Sequence, residues 1–491
     1  MLLKELLNGT TAVGEYPQVD IKDIVYDSRK AHEGTIFVCI KGEKTDGHKF
    51  APSAYELGCR AFLAEDDLDL PADAVVVKST NARFDLAAMS ANFFGHPARE
   101  MKIIGVTGTK GKTTVTYIVR SALENCGIKT GVIGTIGAFF DDTEVPTENT
   151  TPESYEVQKI LRLMADNGCE AVCLEVSSLG LKMSRVDCID FYAGIFTNLS
   201  PDHIGGGEHR SFEEYAYWKK QLYSRSDITI ANIDDAFYDD IAAASKGEVL
   251  SFGLSENADC YAENIECLRR PGFLGIAFDC VSKTDEKWHA EVSMPGFFSV
   301  YNALAAIALL RKMDVPVCAI QQALKSVSVC GRVEIVRVSD DYDVIIDYAH
   351  NGISFENILE TMRIYKPNRI ISLFGSAGGK AQVRRKEIGL ISGKMSDFSI
   401  LTNEDPDTED ENAILDEIAG YIEQAGGAGK YVKIPDRAKA IDYALDNMQK
   451  GDILLLLGKG NERFMKVGGK KFYFNELDCI HDYMKRHNMC K

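Results

Sequence analysis

The stretch Met101-Lys-Ile-Ile-Gly-Val-Thr-Gly-Thr-Lys-Gly-Lys-Thr-Thr114 decides how this chain is read. Its apolar run, Ile103 to Val106, predicts a buried strand that delivers a glycine-rich turn and then a helix. Between Gly108 and Gly111 the backbone can bend so that several N–H groups converge on one anion. Lys112 adds a point charge for the β- and γ-phosphates, and the Thr113 hydroxyl can ligate Mg²⁺. Gly108, Thr109, Lys110, Gly111, Lys112, Thr113 and Thr114 are therefore expected to form an ATP-binding loop. The spacing is G-x-x-G-K-T-T, a variant of the common G-x-x-x-x-G-K-[ST].

Working outward, 491 residues are too many for one ordinary domain, and 45% hydrophobic content is ample for several cores. No apolar run reaches the roughly 18 residues of a membrane span. The first twenty residues lack a long apolar segment and a small-residue cleavage site, so a cytoplasmic start is expected. A net charge of −18 argues against a nucleic-acid partner, since no basic stripe offsets it. The 13 cysteines form no CxxC pair, which points to reduced thiols and away from a zinc site.

Strands alternate with helical stretches throughout, which predicts α/β architecture with mostly parallel sheets. Three segments are expected. Residues 1–98 carry strand candidates at Ile24–Tyr26, Thr35–Ile40, Ala61–Leu63 and Ala74–Val77. Residues 99–333 hold the phosphate loop in a doubly wound sheet, with strands at Ala171–Val176, Gly194–Thr197 and Ile228–Ala231. Residues 334–491 form a Rossmann-like set from Asp343–Asp347, Ile370–Phe374, Phe398–Thr402 and Asp452–Leu457. In such sheets ligands gather at the carboxyl ends of the strands.

Polar groups cluster at those ends. One strand closes on Leu174-Glu-Val-Ser-Ser178, and another empties into Phe196-Thr-Asn-Leu-Ser-Pro-Asp-His203. Helical lysines follow in Glu214-Tyr-Ala-Tyr-Trp-Lys-Lys220. Singly, Glu175 reads as a cap or surface acid, His203 as a turn residue, and Lys219 and Lys220 as solvated lysines. Beside a phosphate loop they supply hard ligands for a second Mg²⁺ and a base-like region near a γ-phosphate.

At these residues the chain resembles the Mur ligase family, and within it the UDP-N-acetylmuramoyl-tripeptide synthetases of the MurE type. The resemblance runs nearly end to end. It includes Asp27-Ser-Arg29, Thr107–Thr114, Asn149-Thr-Thr-Pro152, Glu175–Ser178 and Asn198–His203. Tyr301-Asn-Ala303, Gly331-Arg-Val-Glu334, Asp347-Tyr-Ala-His350 and Gly458-Lys-Gly460 follow. The resemblance implies an ATP-dependent ligase. The γ-phosphate passes to the carboxylate of UDP-MurNAc-L-Ala-D-Glu, and the amine of a diamino acid attacks the acyl phosphate. Cations must offset the repulsion of two anions, and closure must keep water from the intermediate.

The same resemblance implies roles by position. Lys112 and Thr113 would hold the phosphates and the first Mg²⁺, and Glu175 and His203 the second. Lys219 would be carbamylated, with Lys220 the less favoured candidate. Asn302 would meet the adenine, Arg332 the phosphates and Asp347 the ribose. Thr150, Thr151, Ser177 and Arg185 would hold the muramoyl dipeptide, and Ser28 the uridine diphosphate. Arg385, Asp405, Asp407, Gly458 and Glu462 would form the amino-acid site, with Arg385 on the α-carboxylate and Glu462 on the amine. The expected enzyme is a cytoplasmic monomer that uses ATP, Mg²⁺ and small-molecule substrates, with no membrane partner.

Some positions depart from the family pattern. Lys110 stands for Asn, Leu179 for His, Asn461 for His and Asn475 for Asp. The informative departure is Glu404-Asp-Pro-Asp407, where diaminopimelate-adding members carry Asp-Asn-Pro-Arg. An Asp at the Arg position would repel a distal carboxylate by on the order of several kcal/mol, a bias of about 10²-fold or more. It would attract a distal ammonium, so L-lysine is the expected acceptor. Two other readings compete: a related ligase for another carboxylate, such as a folyl or cyanophycin-type substrate, and a nucleotide-binding regulator without ligation. Asp27-Ser-Arg29 has no obvious use in the first, and Glu175, His203 and Lys219 none in the second.

Overall fold

Parallel strands with helices between them account for most of the chain. The computed structural model describes residues 1–42, 45–201, 204–205, 208–283, 285–379 and 382–489. They form two compact units. One is Met1–Tyr261 with Leu304–Ile320, and the other is Ala262–Ala303 with Gln321–Lys491.

In the first unit, Asp23–Val25, Thr35–Val38, Ala61–Ala64 and Val75–Lys78 pair in that order as a four-stranded parallel sheet. The helix Ala82–Phe93 follows, N-capped by Asn81, whose side chain accepts from the Phe84 N–H. Its end at Gly95, left-handed His96 and Pro97 falls where those residues predict a stop. Side-chain hydrogen bonds tie this sheet to the next. Tyr155 donates to Asp23 at 2.6 Å, and Glu153 accepts from Arg83 at 3.2 Å and Arg185 at 2.8 Å.

The central sheet of that unit runs in the order Glu248–Gly253, Ser226–Asn232, Phe191–Phe196, Lys102–Thr107, Ala171–Glu175, Thr130–Ile133, Ala138–Phe140 and Thr143–Val145. The last two pair antiparallel, the rest parallel. Ile103, Ile104 and Val106 are wholly buried, as expected of a strand covered on both faces. Each side chain contributes about 1.5–3 kcal/mol by leaving water. The register sets the site. Thr107 pairs with Phe196 and Val106 with Glu175, so three neighbouring carboxyl ends finish level.

In the second unit, Cys260–Arg270, Phe273–Ser282 and Trp288–Val292 run side by side. A six-stranded sheet follows in the order Glu334–Val336, Asp343–Asp347, Ile453–Leu457, Ile370–Phe374, Phe398–Leu401 and Tyr431–Lys433. Only Glu334–Val336 is antiparallel. Alternate residues enter opposite cores: Ile345 and Leu455 face one cluster, Val344, Ile346, Leu454 and Leu456 the other. Helices therefore cover both faces, which is why these strands read as continuous apolar runs.

A fully buried ion pair closes this sheet. Arg437 donates to Glu476 from Nε at 2.9 Å and Nη2 at 2.6 Å. The same guanidinium donates to the carbonyls of Asn403 at 3.0 Å and Leu457 at 2.8 Å. Two strand ends and the last helix, Glu476–Arg486, thus meet at one side chain. Asn475 caps that helix through the Asp478 N–H.

Candidate active site

The phosphate loop leaves the strand Lys102–Thr107 and enters the helix Lys112–Glu124, whose N-cap Gly111 is left-handed. Gly108 has φ +149°, and a Cβ there would lie 1.9 Å from Thr197 Oγ1. No other residue fits without moving the neighbouring strand end. Thr197 and Asn198 brace the loop. The Thr109 N–H donates to the Asn198 carbonyl at 2.9 Å, and the Lys110 N–H to Asn198 Oδ1 at 3.0 Å. Thr197 Oγ1 donates to the Lys110 carbonyl at 2.6 Å. Lys112 Nζ lies over the loop, donating to the carbonyls of Gly108 at 2.8 Å and Thr109 at 3.2 Å.

Glu175 ends the next strand and is 1% exposed. It accepts from the Thr135 N–H at 3.1 Å and the Thr135 hydroxyl at 3.0 Å, and it is hydrogen-bonded to Thr113. Burial raises its pKa, opposed by the charge of Lys112 and these hydrogen bonds. Lys219 arrives on the helix Phe212–Lys220, which Ser211 caps and which carries acids in its first turn and lysines in its last. It is 2% exposed, and its Nζ donates to the Gly108 carbonyl at 2.8 Å, 4.8 Å above the Tyr215 ring. Tyr215 is one helical turn earlier, and its hydroxyl lies 3.1 Å from Thr109 Oγ1. Lys220 instead reaches outward to Asp240. The structure thus brings Lys112, Thr113, Glu175 and Lys219 together. His203 lies outside the described residues.

The residues expected around the dipeptide sit beside Glu175. Thr151 is wholly buried, donates to the Glu175 carbonyl at 2.8 Å and accepts from the Ser177 N–H at 2.9 Å. Thr150 Oγ1 is 3.0 Å from Thr135 Oγ1. Ser177 caps a short helix through the Gly180 N–H. Arg185 is held by Glu153 and by the Thr151 carbonyl at 3.0 Å. Ser28 opens a short helical turn capped by Asp27, whose side chain accepts from the Arg29 N–H.

In the second unit Asn302 is buried on the helix Phe298–Lys312. Arg332 is exposed, with its guanidinium 5.1 Å from the Tyr348 ring centroid. Asp347 accepts from the N–H groups of Val333 at 2.7 Å and Ala349 at 2.8 Å, and burial raises its pKa. One carboxylate thereby fixes the turn in which Val333 takes φ +47°, a costly conformation for a β-branched residue.

The Glu404–Asp407 turn collects charge. Glu404 pairs with Arg384 at 2.8 Å, and Asp405 with Lys459 at 2.9 Å. Asp407 is half-buried and left-handed, and its N–H donates to the Lys466 carbonyl at 3.0 Å. Arg385, the residue expected to meet an α-carboxylate, is occupied by the protein's own acids. It donates to Glu409 at 2.7 Å and Glu417 at 2.9 Å. Sequence reasoning gave no role to Lys459 and Tyr215. Tyr215 had a signal in its spacing from Lys219, and Lys459 lies inside a quoted motif without an assigned role.

Burial pushes the Glu404 carboxyl up to about 7, against the opposing charges of Arg384, Arg437 and Lys459. An acid whose folded pKa exceeds its unfolded value takes up a proton on folding. Its contribution to stability is therefore full below the unfolded carboxylate range and lost as pH rises through about 7. Urea melts at pH 5 and pH 8 should show Glu404→Gln gaining on the parent protein as pH rises. A pH-independent difference would remove this assignment.

Among the described residues, the close group of metal-type ligands is Asp46, His48 and Asp66. His48 is already used structurally. Its Nε2 accepts from the N–H groups of Glu65 at 3.1 Å and Asp66 at 3.2 Å, which places the proton on Nδ1, donating to Asp46 at 2.6 Å. No helix among the described residues is long and apolar enough to cross a membrane.

Three family models match the chain. They are the Mur ligase family catalytic domain over residues 20–92, the Mur ligase middle domain over 106–310, and the Mur ligase glutamate ligase domain over 331–460. The chain is 38% identical over 486 residues to a UDP-N-acetylmuramoyl-L-alanyl-D-glutamate–2,6-diaminopimelate ligase of Caldanaerobacter subterraneus subsp. tengcongensis, covering 99% of each. It is 36% identical over 472 residues to a Clostridium botulinum protein of the same name, covering 95% of each. A solved structure of a ligase so named superposes with a TM-score of 0.71 at 25% identity, over 95% of both chains.

Proposed function

The chain belongs to the Mur ligase family, and from that premise we propose that it joins a diamino acid, L-lysine, to UDP-MurNAc-L-Ala-D-Glu at the expense of ATP. It is an enzyme, a ligase of peptidoglycan precursor synthesis. The observation that carries the reaction is the meeting of Lys112, Thr113, Glu175 and Lys219 at three level strand ends. A terminal carboxylate oxygen of the dipeptide attacks the γ-phosphorus, and ADP leaves. The amino acid's amine then attacks the acyl carbon, loses its proton and expels phosphate. Loop N–H groups and Lys112 hold the phosphates. Arg185, steered by Glu153, fits the dipeptide's anionic end.

Mg²⁺ fits this donor set. Thr113 and the buried Glu175 offer hard oxygens, and Lys219 would add two more as a carbamate. When bound, the ion would screen the triphosphate and polarise the γ-phosphoryl group. The unmodified Lys219 ammonium has the wrong sign for a ligand, which favours the modification.

Local charge supports lysine as acceptor. Arg384, Arg385 and Lys459 are each already paired with a carboxylate, while Asp407 adds negative charge where a distal carboxylate would need a cation. The named relatives act on 2,6-diaminopimelate, which makes that amino acid the direct competitor. A panel of L-lysine, L-ornithine and meso-diaminopimelate, with ATP and the nucleotide dipeptide, decides by product mass. Lysine should lead by about 10²-fold in kcat/KM, and Asp407→Arg should shift the balance toward diaminopimelate. A parent enzyme that prefers diaminopimelate overturns the lysine assignment and leaves the ligase intact.

A further inference from the structure

Lys459 is a buried cation beside the proposed amino-acid site to which no substrate contact has been given. Its side chain is 0% exposed, a costly place for an ammonium unless every charge is answered. Nζ donates to Asp405 at 2.9 Å and to Glu462 at 2.7 Å, and it lies 5.2 Å from the centre of the Phe464 ring. Both acids belong to the proposed amino-acid site, and they come from different loops. The backbone around the lysine is built for this. Gly458 at φ +106° and Gly460 at φ +53° flank it, and a Cβ on Gly458 would lie 2.4 Å from Glu404 Oε2. The turn is thereby pressed against the Glu404 loop with Lys459 inside.

We propose that Lys459 is a positioning residue that clamps Glu462 and Asp405 in register, so that the Glu462 carboxylate is aimed at the incoming amino acid's amine. The proposal rests on the acceptor reading above. Without the ammonium, the two carboxylates that share it would repel, and Glu462 would turn away. The hydrogen bonds given for the lysine's side chain go to two acids of the amino-acid site and to no residue assigned to ATP or the dipeptide. Its loss therefore acts on one substrate.

Steady-state kinetics with each substrate varied in turn provide the test. Lys459→Met should raise the KM for the amino acid at least 10-fold, with the KM values for ATP and the nucleotide dipeptide within 2-fold. Lys459→Gln keeps hydrogen-bond donors at similar length and should recover part of that loss; it also serves if the methionine variant fails to fold. In Lys459→Met/Glu462→Gln the amino-acid KM should be no worse than in Glu462→Gln alone. An unchanged amino-acid KM, three KM values rising together, or additive effects in the double variant would overturn the clamp. A parent enzyme that forms no product with any amino acid overturns the acceptor reading itself, and the clamp with it.

Discussion

Lys219→Met is expected to lower kcat by about 10³-fold or more while leaving the fold intact, a loss at the upper end of those caused by removing one preorganised electrostatic group. The side chain is buried, and methionine fills most of its volume, so packing survives. What disappears is the terminal nitrogen, which sits 2.8 Å from the Gly108 carbonyl of the phosphate loop. If that nitrogen carries a carbamate, Lys219→Ala leaves a slot for a small carboxylate. Formate or acetate should then restore part of the phosphate release, and Lys219→Arg should be inactive. A Lys219→Ala protein with full amide-forming activity would overturn the assignment. Activity in Lys219→Arg without rescue by carboxylic acids would instead make the lysine a plain cation.

Arg437→Met should cost about 3–5 kcal/mol in the unfolding transition of the C-terminal sheet, the usual penalty for breaking a buried ion pair from one side. It strands Glu476, which is wholly buried and whose carboxyl burial already raises in pKa. It also frees the carbonyls of Asn403 and Leu457, two strand ends beside the acceptor loop. Arg437→Met/Glu476→Leu should recover much of the loss, because two apolar side chains replace the whole pair. Thermal and urea melts of both variants check this. Equal destabilisation of the single and double variants would show that the two carbonyl hydrogen bonds dominate.

Much of the fold was legible because parallel strands covered on both faces are unbroken apolar runs. Asp343–Asp347 and Ile370–Phe374 lie where the pattern puts them. The strands added outside the parallel cores were not visible. Cys260–Arg270 mixes buried and exposed positions, and the hairpin Phe464–Val467 with Lys470–Tyr473 is largely exposed and lysine-rich. Neither gives a period strong enough to read. In the site, the family resemblance favoured Lys219 over Lys220, and the structure turns only the former inward. Pairing was beyond the sequence. Arg385 looked like a free anion receptor because Glu409 and Glu417, which take it, lie 24 and 32 positions away. A buried lysine such as Lys459 looks like any other lysine until its surroundings are known.

The level strand ends carry an implication for how such a protein can change over time. Thr107, Glu175 and Phe196 are spaced by backbone pairing between adjacent strands, a ruler of about 4.8 Å per step that no side chain sets. Core residues can be exchanged for others of similar bulk without recalibrating the distance between the phosphate loop and its partner acid. A family built on that ruler can drift to 38% identity and keep its reacting groups aligned, provided insertions stay in the loops and out of the ladder.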